Sequence, residues 1–257
     1  MSTDTPMVRQ YKKIKLEHPD AILFFRLGDF YEMFYDDAKT ASKVLGITLT
    51  SRNKSEANPI PLCGVPFHSA EPYLAKLLEH GHKVAICEQV EDPKLAKGIV
   101  ERKVVKILTP GVIVDTEHLE EKTNNFLTCI AKYKNNWGMA CADISTVQLR
   151  VSSFGSAETL MSELTNLQPR EILIPEDSDD FDYIKTLSND SWKPVTTKKE
   201  EYLWDLDSCR DLIKNYLGVK SLQSFGLENR PESEIALGVL LNYMLATQID
   251  DMPPLKN

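Results

Sequence analysis

Phe30 and Glu32 are the two residues of this sequence whose types and spacing could do chemistry. They stand two residues apart in Gly28-Asp29-Phe30-Tyr31-Glu32, directly after an apolar run of strand length. Turns that follow strands often display binding groups. A phenyl ring can stack on a flat ligand, and a carboxylate beside it can accept a hydrogen bond. The pair is therefore a candidate binding site.

A purely structural interpretation of the same residues is open as well. Asp29, followed three residues later by a glutamate, has the spacing of a capping box, in which Glu32 would satisfy a backbone N–H at a helix start. Phe30 would then be a staple or a core residue. The apolar spacing predicts a strand that breaks at the Gly28-Asp29 turn, followed by a helix that reaches Leu45.

The second interpretation is that the pair meets DNA. An apolar ring pushed into the minor groove unstacks a base step at a cost on the order of a few kcal/mol, and the cost is lower where pairing is already defective. Phosphates repel a carboxylate, so Glu32 belongs at a DNA surface only if it meets a donor on a base edge or is itself protonated. A mispaired base offers such an unpaired N–H. Together the two side chains could discriminate mispaired sites.

Signatures of other chemistry are weak. No Gly-x-x-x-x-Gly-Lys-Ser/Thr and no Gly-x-Gly-x-x-Gly occurs, so the chain is not expected to hydrolyse ATP by itself. Asp143, on a predicted central strand, could belong to a two-metal nuclease site, but most acids after it cluster in a turn at 176–180 that looks exposed. His80 and His82 lack a third metal ligand nearby. These features favour neither a nuclease nor a metal site.

The cysteines and the apolar runs bear on the compartment. The five cysteines are odd in number and form no Cys-x-x-Cys pair, which predicts buried reduced thiols. They are Cys63, Cys87, Cys129, Cys141 and Cys209. Residues 1–6 lack the features of a secretory signal, and the apolar run at 235–246 is too short to span a bilayer. A cytoplasmic chain without membrane contact is expected.

Charge and pattern divide the chain into two parts. Residues 1–110 carry 16 basic and 14 acidic residues, and residues 111–257 carry 14 and 24, so the net charges are +2 and −10 and sum to −8. The first part has the pattern of at least four strands and three helices. The second starts with three β-like runs that form a meander and then alternates helices with strands, as a ribonuclease H-like layer would. Two domains with different partners are expected.

Several blocks in the first 111 residues resemble the MutS family of DNA mismatch repair proteins. The first block is Gly28-Asp29-Phe30-Tyr31-Glu32, continued by Phe34 to Ala38. The others follow in order: Pro59-Ile60-Pro61 with Gly64-Val65-Pro66-Phe67-His68, Tyr73 to Leu77, Val84 to Gln89, Val100 to Val105, and Leu108 to Gly111. Several specific blocks in the same order are not expected to arise by chance.

The resemblance implies an α/β fold in two domains. Residues 1–110 would be a mixed-sheet mismatch-recognition domain and residues 111–121 a linker. Residues 122–245 would be a connector domain with a ribonuclease H-like fold and no nuclease activity. Residues 246–257 would be the start of a truncated lever region, so that the chain is an N-terminal fragment of a bacterial family member.

The resemblance also implies which residues meet DNA. Phe30 would stack on the mispaired base and Glu32 would be its hydrogen-bond partner. Arg52 and Arg102 match family positions that contact the DNA backbone. The resemblance implies no catalytic residue and no metal ligand in this chain.

The implied function is binding of mispaired or looped bases in duplex DNA to initiate mismatch repair. The connector would relay signals and contact MutL. ATP and Mg²⁺, the ATPase activity and the homodimer are expected only in the full-length parent, and the chain itself would have no cofactor and no enzymatic activity. Two alternatives remain open: a protein-docking module with an aromatic turn, and a ribonuclease H-like nuclease.

Overall fold

A computed structural model describes two compact units of the chain. They comprise residues 1–110 and 111–257. The described residues are 5–52, 59–91, 98–112, 125–143, 146, 148–177, 179–187 and 192–247. Each unit is built on one mixed β-sheet with helices packed against it, which confirms the predicted α/β class with two domains.

Helices and strands alternate irregularly in the described part of the first unit. They are α1 (Pro6–Glu17), β1 (Ala21–Leu27), β2 (Phe30–Phe34), α2 (Tyr35–Leu45), β3 (Thr50–Arg52), β4 (Ile60–Pro66), α3 (Glu71–Glu79), β5 (Lys83–Gln89) and β6 (Arg102–Leu108). A 3₁₀ turn at Phe67–Ser69 separates β4 from α3. The sheet order is β3-β4-β2-β1-β5-β6. Only the β1–β5 pair of this sheet is parallel.

Both faces of this sheet carry a core. Phe24 and Met33 are fully buried on the face that α2 and α3 cover. On the other face, α1 places Tyr11 edge-on against Phe34, with 4.9 Å between the ring centroids. Successive residues of a strand point to opposite faces, so the continuous apolar run of β1 supplies both cores. β1 is therefore fixed firmly beside the strand that begins at Phe30.

Asp37 ties α1, α2 and β1 together. Its Oδ2 accepts hydrogen bonds from the Tyr11 hydroxyl at 2.9 Å and from the backbone N–H of Leu23 at 3.0 Å. Its Oδ1 accepts a hydrogen bond from Lys15 Nζ at 2.8 Å. A buried carboxylate is tolerated when its oxygens are paired in this way. The network holds two helices at fixed positions on the sheet.

The helix that the sequence predicts after the Gly28-Asp29 turn begins later than expected. Phe30–Phe34 forms β2, and α2 starts only at Tyr35. The capping-box interpretation is therefore wrong, because Phe34 occupies the N-cap position and makes no side-chain cap hydrogen bond. The apolar residues from Phe34 onward do have helical spacing, whereas the residues before it alternate with the period of a strand.

The second unit begins with an antiparallel meander. Its described elements are β7 (Phe126–Tyr133), β8 (Asn136–Asp143), β9 (Gln148–Phe154), α4 (Ala157–Leu167), β10 (Glu171–Pro175), β11 (Val195–Lys199), α5 (Leu206–Leu217) and α6 (Pro231–Thr247). Short 3₁₀ segments lie at Asp179–Leu187, Glu201–Trp204 and Gln223–Phe225. The sheet order is β11-β10-β7-β8-β9.

This strand order agrees with the predicted ribonuclease H-like layer. β7, β8 and β9 are antiparallel neighbours, β10 lies parallel to β7, and β11 lies parallel to β10. α5 and α6 contribute to the core on one face. α4 and the 3₁₀ segment at Asp179–Leu187 contribute to the core on the other. Helices on both faces explain why β7 and β8 are apolar along nearly their whole length.

Two residues of the predicted linker are packed in the second unit. The Gly111 N–H donates to Glu171 Oε2 at 3.1 Å, and Val112 is buried in the α5–α6 core. Residues 113–124 lie outside the described part of the chain. Of the predicted lever region at 246–257, only its first two residues are described, as the end of α6. No helix among the described residues is long and apolar enough to cross a membrane.

Candidate nucleic-acid interface

A two-residue hairpin turn displays Phe30. β1 and β2 are antiparallel with Leu27 opposite Phe30, so Gly28 and Asp29 alone connect them. Gly28 has φ +58°, a conformation that glycine adopts without strain and that two-residue hairpin turns require. The turn leaves the Phe30 side chain 46% exposed at the start of its strand. The phenyl ring is therefore partly exposed on a short turn of defined geometry, where a flat ligand can stack on it.

Phe30 and Glu32 project from the same face of the sheet. They alternate along β2 with Tyr31 and Met33, which are buried among the residues of the opposite core. Because side chains two apart on a strand share a face, the ring and the carboxylate are neighbours. Glu32 lies opposite Gly64 of β4, which adds no side chain beside it. The structure therefore places the two predicted site residues, Phe30 and Glu32, next to each other.

The carboxylate of Glu32 is not fully hydrogen-bonded by the described residues. Its Oε2 is buried and has no hydrogen-bond partner among the described residues. The nearest cation is Arg52, whose Nη1 lies 3.7 Å from that oxygen. Burial raises the pKa of the Glu32 carboxyl, and the charge of Arg52 opposes this increase. A buried oxygen without a partner is costly, so it favours a ligand that offers one.

Arg52 and Arg102 occupy different environments. The Arg52 side chain is 43% exposed beside Glu32, as expected of a residue at a binding surface. Arg102 is 7% exposed. Its guanidinium donates to the carbonyl oxygens of Arg26 at 2.7 Å and Val100 at 2.8 Å, and to Gln10 Oε1 at 3.1 Å.

The structure therefore does not favour the predicted contact of Arg102 with the DNA backbone. Its Cζ atom lies 5.0 Å from the Phe25 ring centroid, where it covers part of the core. Burial lowers the pKa of the guanidinium. Arg102 and the pair formed by Glu32 and Arg52 are separate structural features: one supports the sheet, and the other faces outward.

Four residues around the turn have roles that the sequence does not predict. Arg26 donates from Nε to the Gly28 carbonyl at 2.6 Å, and its Cζ lies 3.4 Å from the Phe67 ring centroid. Its Nη1 lies 3.5 Å from Glu88 Oε2, and the Tyr31 hydroxyl donates to Glu88 Oε1. Burial, and next the neighbouring Glu88, raise the pKa of Tyr31 to about 12. The available signal was an arginine inside an otherwise apolar strand.

The acidic residue considered for nuclease chemistry is part of a local turn. Asp143 ends β8 with 1% exposure, and its Oδ1 accepts a hydrogen bond from the Thr146 N–H at 3.3 Å. No group of three or more His, Cys, Asp or Glu residues that could hold a metal ion occurs in the described ranges. All five cysteines are free and buried, as predicted. Burial raises the pKa of the Cys63 thiol to about 11, which makes it a poor nucleophile.

Comparison with known proteins assigns both units to one family. Residues 5–117 match the family model for MutS domain I, and residues 125–256 match the model for MutS domain II. The DNA mismatch repair protein MutS of Desulfatibacillum aliphaticivorans is 44% identical over 244 residues, which are 95% of this chain and 27% of that protein. The chain belongs to the MutS family of DNA mismatch repair proteins, and the resemblance found in its motifs is confirmed. It spans about a quarter of the length of that relative.

Proposed function

We propose that the first unit binds duplex DNA at mispaired or looped bases and so initiates mismatch repair. One observation carries the proposal: an exposed phenyl ring and a buried carboxylate oxygen without a hydrogen-bond partner stand side by side on β2. The ring supplies a stacking surface, and the oxygen supplies a specific polar contact. Both are held on a strand that cores support from either side.

Phe30 acts as the wedge. Insertion of an apolar side chain between base pairs costs on the order of a few kcal/mol for each unstacked step. A mispaired or unpaired base is already less well stacked and paired, so the same insertion costs less there. The two-residue turn limits how far the ring can move away from the DNA. The difference in unstacking cost therefore appears as a difference in affinity.

Glu32 adds discrimination through the exposed base edge. Ionised, it accepts a hydrogen bond from a base N–H that lacks its Watson–Crick partner. Protonated, it donates to a base acceptor, and the raised pKa of its carboxyl makes this form easier to reach. On matched DNA the Watson–Crick edges are already paired, so the carboxylate gains no such contact there and meets phosphate repulsion. Glu32 therefore penalises matched sites.

Arg52 supplies a backbone contact beside this pair. Its side chain is 43% exposed, and its guanidinium lies close enough to Glu32 to moderate the repulsion between that carboxylate and the phosphates. Arginine binds phosphate through a planar fork of N–H donors. The buried Arg102 acts differently, since it supports the strand that leads into the turn.

The second unit acts as the connector, which relays the DNA-bound and nucleotide-bound states and contacts MutL. The ATPase activity, with its ATP and Mg²⁺, and the homodimer belong to parts of MutS proteins outside domains I and II. The acidic net charge of residues 111–257 suits a protein partner better than DNA. A nuclease activity lacks support because Asp143 is engaged in its own turn.

A titration of paired duplexes tests the proposal. Fluorescence anisotropy measures the affinity of the whole chain for two duplexes that share their flanking sequence. One duplex is fully matched, and the other has a single mispaired or unpaired base. We expect tighter binding of the second duplex over a range of salt concentrations. Equal affinities would contradict the proposal and favour the protein-docking alternative. Strand cleavage that requires Mg²⁺ and disappears in Asp143→Asn would favour the nuclease.

A further inference from the structure

Four side chains enclose the turn that carries Phe30. We call Arg26, Tyr31, Phe67 and Glu88 the turn clamp. Both turn carbonyls accept hydrogen bonds: that of Gly28 from Arg26 Nε at 2.6 Å, and that of Asp29 from the Phe67 N–H at 2.9 Å. A two-residue turn at the end of a hairpin usually has its carbonyls in solvent. Here neighbouring residues fix them.

Arg26 joins the members of the turn clamp. The guanidinium plane covers the Phe67 ring at 3.4 Å from Cζ to the ring centroid, and Nη1 faces Glu88 at 3.5 Å. Glu88 in turn accepts from the Tyr31 hydroxyl, so a charge on β1 is connected to a side chain of β2 through β5. The Arg26 side chain is only 17% exposed, so solvent screens these contacts weakly.

Arg26 is also held through its main chain. Its carbonyl accepts the hydrogen bond from Arg102 Nε at 2.7 Å, while its side chain engages the turn. The residue is therefore fixed at both ends, one residue before the hairpin closes. A stacked and directional guanidinium cannot be replaced by the point charge of lysine without losing this geometry.

We propose that Arg26 is a positioning residue for Phe30: through the turn clamp it fixes the hairpin end from which the ring enters DNA. The proposal rests on the wedge function of Phe30. If the turn could yield, the ring would retreat from a matched base step, and the difference in unstacking cost between matched and mispaired sites would be lost. A rigid turn preserves that difference. The role of Arg26 is thus in discrimination and not in overall affinity.

The alternative is that Arg26 binds a phosphate. This role would weaken matched and mispaired duplexes alike and would reduce the dependence of affinity on salt. Its low exposure and the contacts of its Nε with the Gly28 carbonyl and of its Nη1 with Glu88 argue against it. Arg26→Lys preserves the charge and removes the stacking geometry, whereas Arg26→Gln removes both. The two substitutions therefore separate positioning from charge.

The experiment measures mismatch preference and turn rigidity in the complete polypeptide. Arg26→Lys, Arg26→Gln and Phe30→Ala are titrated with the matched and mispaired duplexes at several salt concentrations. Glu88→Gln is a milder second variant, because its amide oxygen still accepts from Tyr31 while the ion pair with Arg26 is lost. Leu77→Val, in the buried α3 core, controls for a general loss of stability. Hydrogen exchange of the amides in residues 26–34 is followed without DNA.

The proposal expects Arg26→Lys to lower the mismatch preference by roughly threefold to tenfold. Matched-duplex affinity should rise, because the ring can then retreat from a matched base step. The salt dependence should stay unchanged, and the amides of 26–34 should exchange faster. Glu88→Gln should act in the same direction. Leu77→Val should retain the preference even when its melting temperature falls as far as that of Arg26→Lys.

Four results would overturn the inference. Arg26→Lys could keep the full preference while Phe30→Ala loses it, which would leave the wedge function intact and remove only the role of Arg26. Arg26→Gln could weaken both duplexes equally and reduce the salt dependence, which would make Arg26 a phosphate contact. Leu77→Val could lose the preference as fully as Arg26→Lys, which would reduce the effect to stability. If Phe30→Ala keeps the preference, the wedge function fails and the inference fails with it.

Discussion

Glu32 Oε2 lies 3.7 Å from Arg52 Nη1, although β4 separates the strands that carry the two residues. The distance is too long for a hydrogen bond, so the guanidinium lowers the cost of the charged carboxylate without occupying its oxygen. Gly64, opposite Glu32 on β4, adds no side chain at this place. The arrangement keeps a carboxylate oxygen buried, partly compensated and without a hydrogen bond from the described residues.

Glu32→Gln should tighten binding to matched duplex. The substitution keeps the shape of the side chain and removes a negative charge that faces phosphates, so affinity should rise by roughly threefold to tenfold at low salt. The gain should shrink as salt screens the charge. Glu17→Gln, at an exposed position of α1, removes the same charge away from β2 and serves as the control. No gain at low salt would show that Glu32 does not face the phosphates.

The same substitution should change how stability depends on pH. Burial raises the pKa of the folded Glu32 carboxyl above its unfolded value. The folded state therefore binds this proton more tightly, and the stability gained is present below the unfolded pKa and is lost as the pH rises through the folded pKa. Glu32→Gln should melt at a higher temperature than the parent at pH 7, and the difference should vanish below about pH 4. A constant difference between pH 4 and 8 would contradict this.

Arg102→Ala should destabilise the first unit. The change leaves the carbonyls of Arg26 and Val100 without their donor and exposes part of the Phe25 ring, at a cost of about 2–4 kcal/mol. Chemical denaturation checks this. Lys103→Ala, which removes a neighbouring cation whose side chain is 65% exposed, should change stability by less than about 0.5 kcal/mol. Equal effects of the two substitutions would refute the supporting role of Arg102.

Arg52→Gln should weaken matched and mispaired binding to the same extent. A lost phosphate contact reduces the slope of log affinity against log salt by about one and carries no information on the base. The slope is measured by titration at several salt concentrations. Arg170→Gln, at an exposed position of the second unit, should leave it unchanged. A selective loss of mispaired binding in Arg52→Gln would instead place this residue at the base.

The sequence was most informative where one pattern was possible. In the second part, where the pattern predicts a meander followed by alternating helices and strands, Phe126–Tyr133 and Glu171–Pro175 are strands and Ala157–Leu167 is a helix. In each case the apolar pattern, its length and the flanking turn residues agree. Around Phe30 two patterns overlap, because a five-residue strand precedes a helix without an intervening loop. The helical spacing therefore predicted a helix that begins before Tyr35, where the structure has a strand.

The environment of single charged residues could not be deduced from the sequence. Arg52 and Arg102 both lie near strand ends. Arg52 faces outward, whereas Arg102 is buried and donates three hydrogen bonds. Part of the difference arises from α1, since Gln10 accepts a hydrogen bond from Arg102, 92 residues further along the chain. The turn clamp depends in the same way on the pairing of β1, which carries Arg26, with β5, which carries Glu88. Contacts between distant segments require the fold.

The mismatch preference of Phe30→Ala is the measurement that tests the wedge most directly. Leu49→Ala is the matched control, because Leu49 in the same unit is also 46% exposed. Both variants are titrated with matched and mispaired duplexes in the complete polypeptide. We expect Phe30→Ala to lose the preference by roughly tenfold or more while its salt-dependent background binding persists, and Leu49→Ala to keep it. An undiminished preference in Phe30→Ala would contradict the proposed role of this ring.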